Sequence, residues 1–389
     1  MFHNTRKVIV ALLIALIASS TGAANERSSS RRSRRPVQRL LYVTAPDGAM
    51  KASGKPGIYV YDIDDGHKLL RHISIPNLGG TRGCAGSAKA KRLYISHKNT
   101  DMMCFDLMTE KPVWEISYPK EKGGFDRTCV TPDGKKLYVP EGWWSNVTKT
   151  LKVLDGDTGE VLKEIDLGVG TAHNLIMSPS GKRLYVGPIA NGTIFVIDTD
   201  TDEIVKKFGN FGPNKPDGTP IKGRVSPYTI NSAETLCFVN SHDVGFYIGD
   251  LKAEKVLHWV QVKEAKGFSH GVGMTPDEKE IWLPNPNDKR LWVFDATVMP
   301  PKRMQSIDVA VTSHGWVTFS LDGRFAWPDT GDVIDAKTKK VVATLNGLEG
   351  NDIIRSSKFI EIHFRNGVPI RMGDQFGIGR ANTRRAGRR

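Results

Sequence analysis

Four cysteines in 389 residues are too few for a secreted scaffold built on disulfides, and none of them stands in a C-x-x-C-H arrangement, so the chain attaches no haem covalently. A chain of this length can bury its core without cross-links. Cys104 and Cys237 fall inside the apolar strand patterns MMCFDL and LCFVN and read as buried thiols, while Cys84 and Cys129 occupy near-equivalent points of adjacent repeats and form the expected pair if there is one. Beyond the first two dozen residues no segment repeats its apolar positions at helical spacing, and no later apolar run approaches the ~20 residues of a spanning helix. The body also lacks a charge excess. The formal net charge of +13 sits at the two ends, in Arg27, Arg31, Arg32, Arg34, Arg35 and Arg39 and in Arg380, Arg384, Arg385, Arg388 and Arg389, with Arg6 and Lys7 ahead of both. A body close to neutral has no basic footprint for nucleic acid, so none is expected as a partner.

What is present starts with those ends. Arg6 and Lys7 precede the apolar run Val8 to Ala18, and the small residues Ser19 to Ala23 follow it. This order reads as a secretory signal over residues 1–24, cut after Ala23 or Ala24, so no transmembrane segment is expected afterwards; an uncleaved anchor is the other reading. Residues 25–39 then form a basic, disordered tail, and residues 366–389 form an extension that ends in a second one. Such tails either touch an acidic protein or anionic lipid surface or are simply solvated.

Between the tails the chain repeats itself, the mark of a propeller or solenoid. An apolar–aromatic–apolar element recurs at Leu41, Leu93, Leu137 and Leu184, and in weaker form at Cys237, Ile281 and Phe325. A second element ends each time in aspartate, at Asp62, Asp106, Asp155, Asp198, Asp250, Asp295 and Asp335. Turns such as TPDGKK at Thr131 and SPSGKR at Ser178 precede the first element, and polar turns such as DGDTGEV from Asp155 follow the second. Each copy therefore supplies about four short antiparallel strands, one propeller blade. The expected fold is all-β, a seven-bladed β-propeller over residues 40–365. Its first blade lacks an innermost strand, and KFIEIHF, Lys358 to Phe364, has strand character and no blade of its own, so it is expected to close the ring and cover the open edge.

The copies LYVTAP, SPSGKRLYVGPIANGTIFVIDTDT and TPDEKEIWLPNPNDKRLWVFDATV resemble the YVTN repeat family of bacterial seven-bladed propellers, which includes secreted binding proteins, surface proteins and subunits of oxidoreductases. The stretches DVGFYIGDLKAEKVLHWVQV, RLWVFDATVMPPK and GDQFGIGR are similar to a subgroup from planctomycetes and acidobacteria. Within it, an exported propeller of this size without haem motifs resembles the β-subunit family of hydrazine synthases. That resemblance implies a non-catalytic scaffold in a hetero-oligomeric oxidoreductase whose partner subunits carry the haems, located in the periplasm or the anammoxosome lumen.

Residues just before each innermost strand should ring one mouth of the central channel. Three are histidines, His173, His270 and His314, which could hold zinc or copper or could hydrogen-bond to a neighbouring blade. Asp126, Arg127, Tyr228 and Arg82 stand at equivalent points, and Asp126, Asn174 and Asn285 offer oxygens of the kind that lactonase propellers use for a channel metal, without matching spacing. Trp143 and Trp144 either contact a partner or pack between blades, and the insertion from Gly209 to Pro227 reads as an exposed loop. No catalytic residue stands out. Besides the scaffold, a stand-alone propeller binding a small ligand or metal, or a propeller hydrolase, is the second functional class.

Overall fold

The computed structural model describes residues 37–48, 54–98, 100–118, 124–141, 149–170, 172–188, 192–209, 211, 225, 228–240, 245–262, 271–285, 287–313, 315–350 and 352–374. The compact unit that carries the sheets begins at Arg39. Its described residues form seven antiparallel sheets set as the blades of a ring. The innermost strands of blades 2 to 7 are Thr81–Ser87, Cys129–Val130, Ala172–Met177, Tyr228–Ile230, Gly273–Met274 and Val317–Phe319. Each is followed outward by three more strands, as in blade 4 by Arg183–Pro188, Thr193–Asp198 and Glu203–Gly209. Innermost strands touch the innermost strands of their neighbours, which puts them around the axis.

Burial follows from that arrangement. The second and third strands are sandwiched between blades and are buried along nearly their whole length, as in Leu137 to Pro140 and Leu151 to Leu154. Fourth strands alternate or lie open: Glu203–Gly209 reads exposed at every second residue over most of its length, as a half-covered strand does. The repeated tyrosine of the second strand ties one blade to the next. Tyr94 donates its hydroxyl to the Gly134 carbonyl at 3.1 Å, Tyr138 to Asp202 at 2.5 Å and Tyr185 to Glu234 at 3.2 Å.

The repeated aspartate at the end of the third strand has an equally local cause. Its carboxylate accepts two backbone N–H groups of the turn that follows, from Met108 and Thr109 on Asp106 (2.8 and 2.7 Å) and from Asp157 and Thr158 on Asp155 (2.8 and 2.9 Å). This is an aspartate turn, which fixes the reversal into the fourth strand. The glycines of TPDG and SPSG sit at φ 80° and 74°, in the left-handed region that the hairpin between first and second strands requires.

The ring closes as the repeats imply, with one addition. Blade 1 takes Gln38–Ala45, Gly57–Asp62 and Lys68–Ser74 from the start of the unit, and Phe359–Arg365 from its far end pairs beside Gln38–Ala45 in the place that the first strand holds in the other blades. A fifth strand, Val368–Asp374, then extends this sheet, where the sequence reading has only an extension after residue 365. It joins Phe359–Arg365 through a tight reversal with Asn366 and Gly367 at φ 52° and 76°. The seam is dense: Ser356 donates to the Thr44 carbonyl at 2.8 Å, Arg39 pairs with Glu361 at 3.2 Å, and Glu361 also accepts the Leu321 N–H at 2.6 Å, reaching blade 7.

All four cysteines are buried, and none of them is in a disulfide. Cys104 and Cys237 are as expected, but the expected Cys84–Cys129 pair is not formed. Neighbours along a strand point to opposite faces. Ala85 and Val130 face each other between blades 2 and 3, so Cys84 turns toward the closing strands and Cys129 toward blade 4.

Candidate functional site at the propeller axis

Four of the side chains that the sequence places before the innermost strands, Arg82, Asp126, Arg127 and His173, meet as a packed core of charge, while Asn174 and Tyr228 lie on the blade-5 side of blade 4. Asp126 and Arg127 lead into the short first strand of blade 3, Arg82 opens blade 2, His173 and Asn174 open blade 4, and Tyr228 opens blade 5. All six are buried, none more than 4 % exposed. The sequence reading missed three further members. Asp47 follows the first strand of blade 1, Trp316 precedes the innermost strand of blade 7, and Lys358 precedes the closing strand; all three are buried as well.

Two carboxylates organise the cluster. Asp126 accepts from Arg82 Nε at 3.1 Å and from His173 Nδ1, tying blades 2, 3 and 4 together. Asp47 accepts from Lys358 Nζ at 3.2 Å and from the backbone N–H and hydroxyl of Ser357, both at 2.8 Å. Arg127 crosses the axis: it donates to the Arg82 carbonyl of blade 2, and its guanidinium lies 4.8 Å from the Trp316 ring centre of blade 7. Burial works against the Asp126 carboxylate, yet His173 and Arg82 outweigh it and hold it well below the usual carboxylate range. Burial pushes His173 down to about 4, against the pull of Asp126, so its ring is neutral at pH 7. Burial and then Arg127 push Lys358 down to about 7, with Asp47 opposing.

Of the three candidate metal ligands, His173 is described and His270 and His314 lie outside the described residues, as do Trp143 and Trp144. The charges that act on His173 come from Asp126, Arg127 and Arg82, so two cations as well as one carboxylate reach its ring. The oxygens offered for a channel metal are otherwise engaged in two cases, Asp126 by Arg82 and His173, and Asn285 by the Asn287 N–H at 3.0 Å. Most of the Gly209 to Pro227 insertion lies outside the described residues.

A second cluster stands where sequence reasoning found nothing. His97, Asp101 and Glu115 bring potential metal-ligand atoms within 4.8 Å of one another at one end of blade 2. Lys98 Nζ is 3.2 Å from Asp101 and 3.3 Å from Glu115, so a cation already occupies the space between the carboxylates.

No family model and no curated protein matches the chain. Solved structures do. A Kuenenia stuttgartiensis hydrazine synthase chain aligns at TM-score 0.56 and 14% identity, over 77% of this chain and 93% of that one. Dihydro-heme d1 dehydrogenase NirN, solved in complex with DHE, aligns at TM-score 0.56 and 13% identity, over 86% and 72%. The β-propeller domain of Myceliophteria thermophila Cps50 (Swd1) aligns at TM-score 0.55 and 12% identity, over 77% and 94%. At these identities the shared property is architecture, and with seven antiparallel sheets in a ring the chain is a seven-bladed β-propeller.

Proposed function

We propose that this propeller is an exported, haem-free scaffold subunit of a multi-subunit haem oxidoreductase, similar in role to the β subunit of hydrazine synthase. The observation that carries the reading is the alignment with the Kuenenia stuttgartiensis hydrazine synthase chain over nearly the whole of that chain. The subgroup resemblance of the sequence and the absence of a C-x-x-C-H motif point the same way, because the haems then belong to partners.

The rim of the ring supports a partnered role. Val161 and Leu162 on the outer strand of blade 3, Val205 on that of blade 4, and Val341 and Val342 on that of blade 7 are all about half exposed. Apolar side chains on outer strands are what a partner subunit would cover. Purification from the native host under gentle conditions, with size exclusion and a haem absorbance spectrum of the peak holding this chain, is the test. Co-elution with haem-bearing proteins is expected; a colourless monomer overturns the proposal.

A further inference from the structure

Three successive strands of blade 2 set an imidazole and two carboxylates on one face. His97 ends Arg92–His97, Asp101 begins Asp101–Asp106, and Glu115 lies in Lys111–Ser117. His97 pairs directly with Asp101, and two residues further along, Ile95 pairs with Met103 and Met103 with Glu115. Directly paired residues share a sheet face, as do residues two apart on one strand, so all three polar side chains stand on the same side. Ile95 and Met103 on that side pack with Tyr42 and Val60 of blade 1, so the group looks toward the border between the two blades.

His97 is the member that points to a ligand. It is fully buried, and neither of its ring nitrogens makes a hydrogen bond among the described residues. Nε2 lies 3.3 Å from Glu115 Oε1, so it faces the carboxylates without being hydrogen-bonded to them. A buried polar group left in this way is costly, and coordination to a cation would satisfy it. Asp101 is already oriented: Oδ1 accepts the Thr100 hydroxyl at 2.8 Å and the Ser117 hydroxyl at 2.7 Å, while Oδ2 turns to Lys98 Nζ at 3.2 Å. The same ammonium is 3.3 Å from Glu115 Oε1. It brings one positive charge to two carboxylates, on a flexible side chain that is 38 % exposed and free to swing outward.

We propose that His97, Asp101 and Glu115 form a binding site for one divalent transition-metal ion of the zinc class, which displaces the Lys98 ammonium. One imidazole nitrogen with two carboxylate oxygens suits zinc, whereas magnesium and calcium take oxygen ligands. With metal–ligand bonds of about 2.0–2.1 Å, tetrahedral neighbours stand about 3.4 Å apart. His97 Nε2 and Glu115 Oε1 are at 3.3 Å already, all three ligand atoms lie within 4.8 Å of one another, and the partly exposed Glu115 has room to close the rest. The two charges of the ion neutralise both carboxylates, where the ammonium neutralises one. Three protein ligands leave a fourth place for water, which arrives past Glu115 and Lys98, the exposed members of the group. The proposal stands whether or not the chain has haem-bearing partners.

The test uses the purified full chain, stripped of metal with EDTA. Binding of zinc, cobalt, magnesium and calcium is measured by equilibrium dialysis with metal analysis, and the melting temperature is taken with and without each ion. Zinc and cobalt bind and raise the melting temperature saturably; magnesium and calcium do not. Glu115→Gln, at a partly exposed position, weakens zinc about tenfold or more. Lys98→Asn removes the competing ammonium, tolerates the φ of 54° at that position and tightens zinc several-fold, whereas the exposed Lys55→Gln leaves it unchanged. If the parent binds neither zinc nor cobalt, if the folded Glu115→Gln variant binds zinc as the parent does, or if Lys98→Asn weakens it, Lys98 is the permanent counter-ion of the two carboxylates and the proposal fails.

Discussion

Two buried histidines make the ring sensitive to acid. Burial pushes His67 down to about 4, as it does His173. His67 Nε2 accepts the Trp327 indole N–H at 2.9 Å, a bond that needs the nitrogen unprotonated. Both rings bind a proton more readily in the unfolded chain, near 6.5, than in the folded one. Their contribution is therefore complete above about pH 6.5 and is lost as the pH falls toward 4. The urea midpoint is expected to drop between pH 7 and pH 5. His67→Asn, which tolerates the φ of 60° at this position, should remove part of that drop, up to about 1.4 kcal/mol per pH unit. A slope unchanged in this variant would place the acid sensitivity elsewhere.

At the scale of strands and turns, the aspartate that ends each third strand acts through two backbone N–H groups. Asp155→Ala should cost about 1 kcal/mol in chemical denaturation, with Asp155→Asn much milder because an amide oxygen can still accept. This part of the fold was legible because its causes are local. The tyrosine of LYV, the aspartate of VLD and the glycine of TPDG each do one repeated task, so the count of blades follows from their recurrence. The fifth strand was not read from VPIRMGD, although Asn366 and Gly367 form the hairpin signal before it. It lies outside the repeat, and nothing in the other blades foretells it. The axial site was legible in half. Asp126, Arg127 and His173 occupy recurring positions, but Asp47 and Lys358 enter from the seam, where chain order and spatial order part company. Trp316 lies two residues after His314, outside the recurring position itself.

For the molecule as a whole, the seam decides whether there is a ring. A chain ending at Arg365 keeps the closing strand and should remain a folded monomer with a lowered melting temperature, since Met372 of the fifth strand packs against Gly86 of blade 2. A chain ending at Ser357 loses Lys358 to Arg365, leaves the edge of Gln38–Ala45 unpaired and strips Asp47 of its cation. It should aggregate or run as oligomers on size exclusion and lose cooperative unfolding by circular dichroism. If the shorter chain stayed monomeric and cooperative, closure would not be what stabilises the ring.

That seam also sets a timetable. Arg39 and Glu361 are 322 residues apart in sequence and meet across it. A growing chain can assemble blades in order as they leave the ribosome, but Gln38–Ala45 must wait with a bare edge until Phe359–Arg365 has been made. The closing strand thus acts as a completion signal: a chain halted ahead of Phe359 presents an open edge strand to chaperones and proteases, and only a chain read through to the closing hairpin hides it.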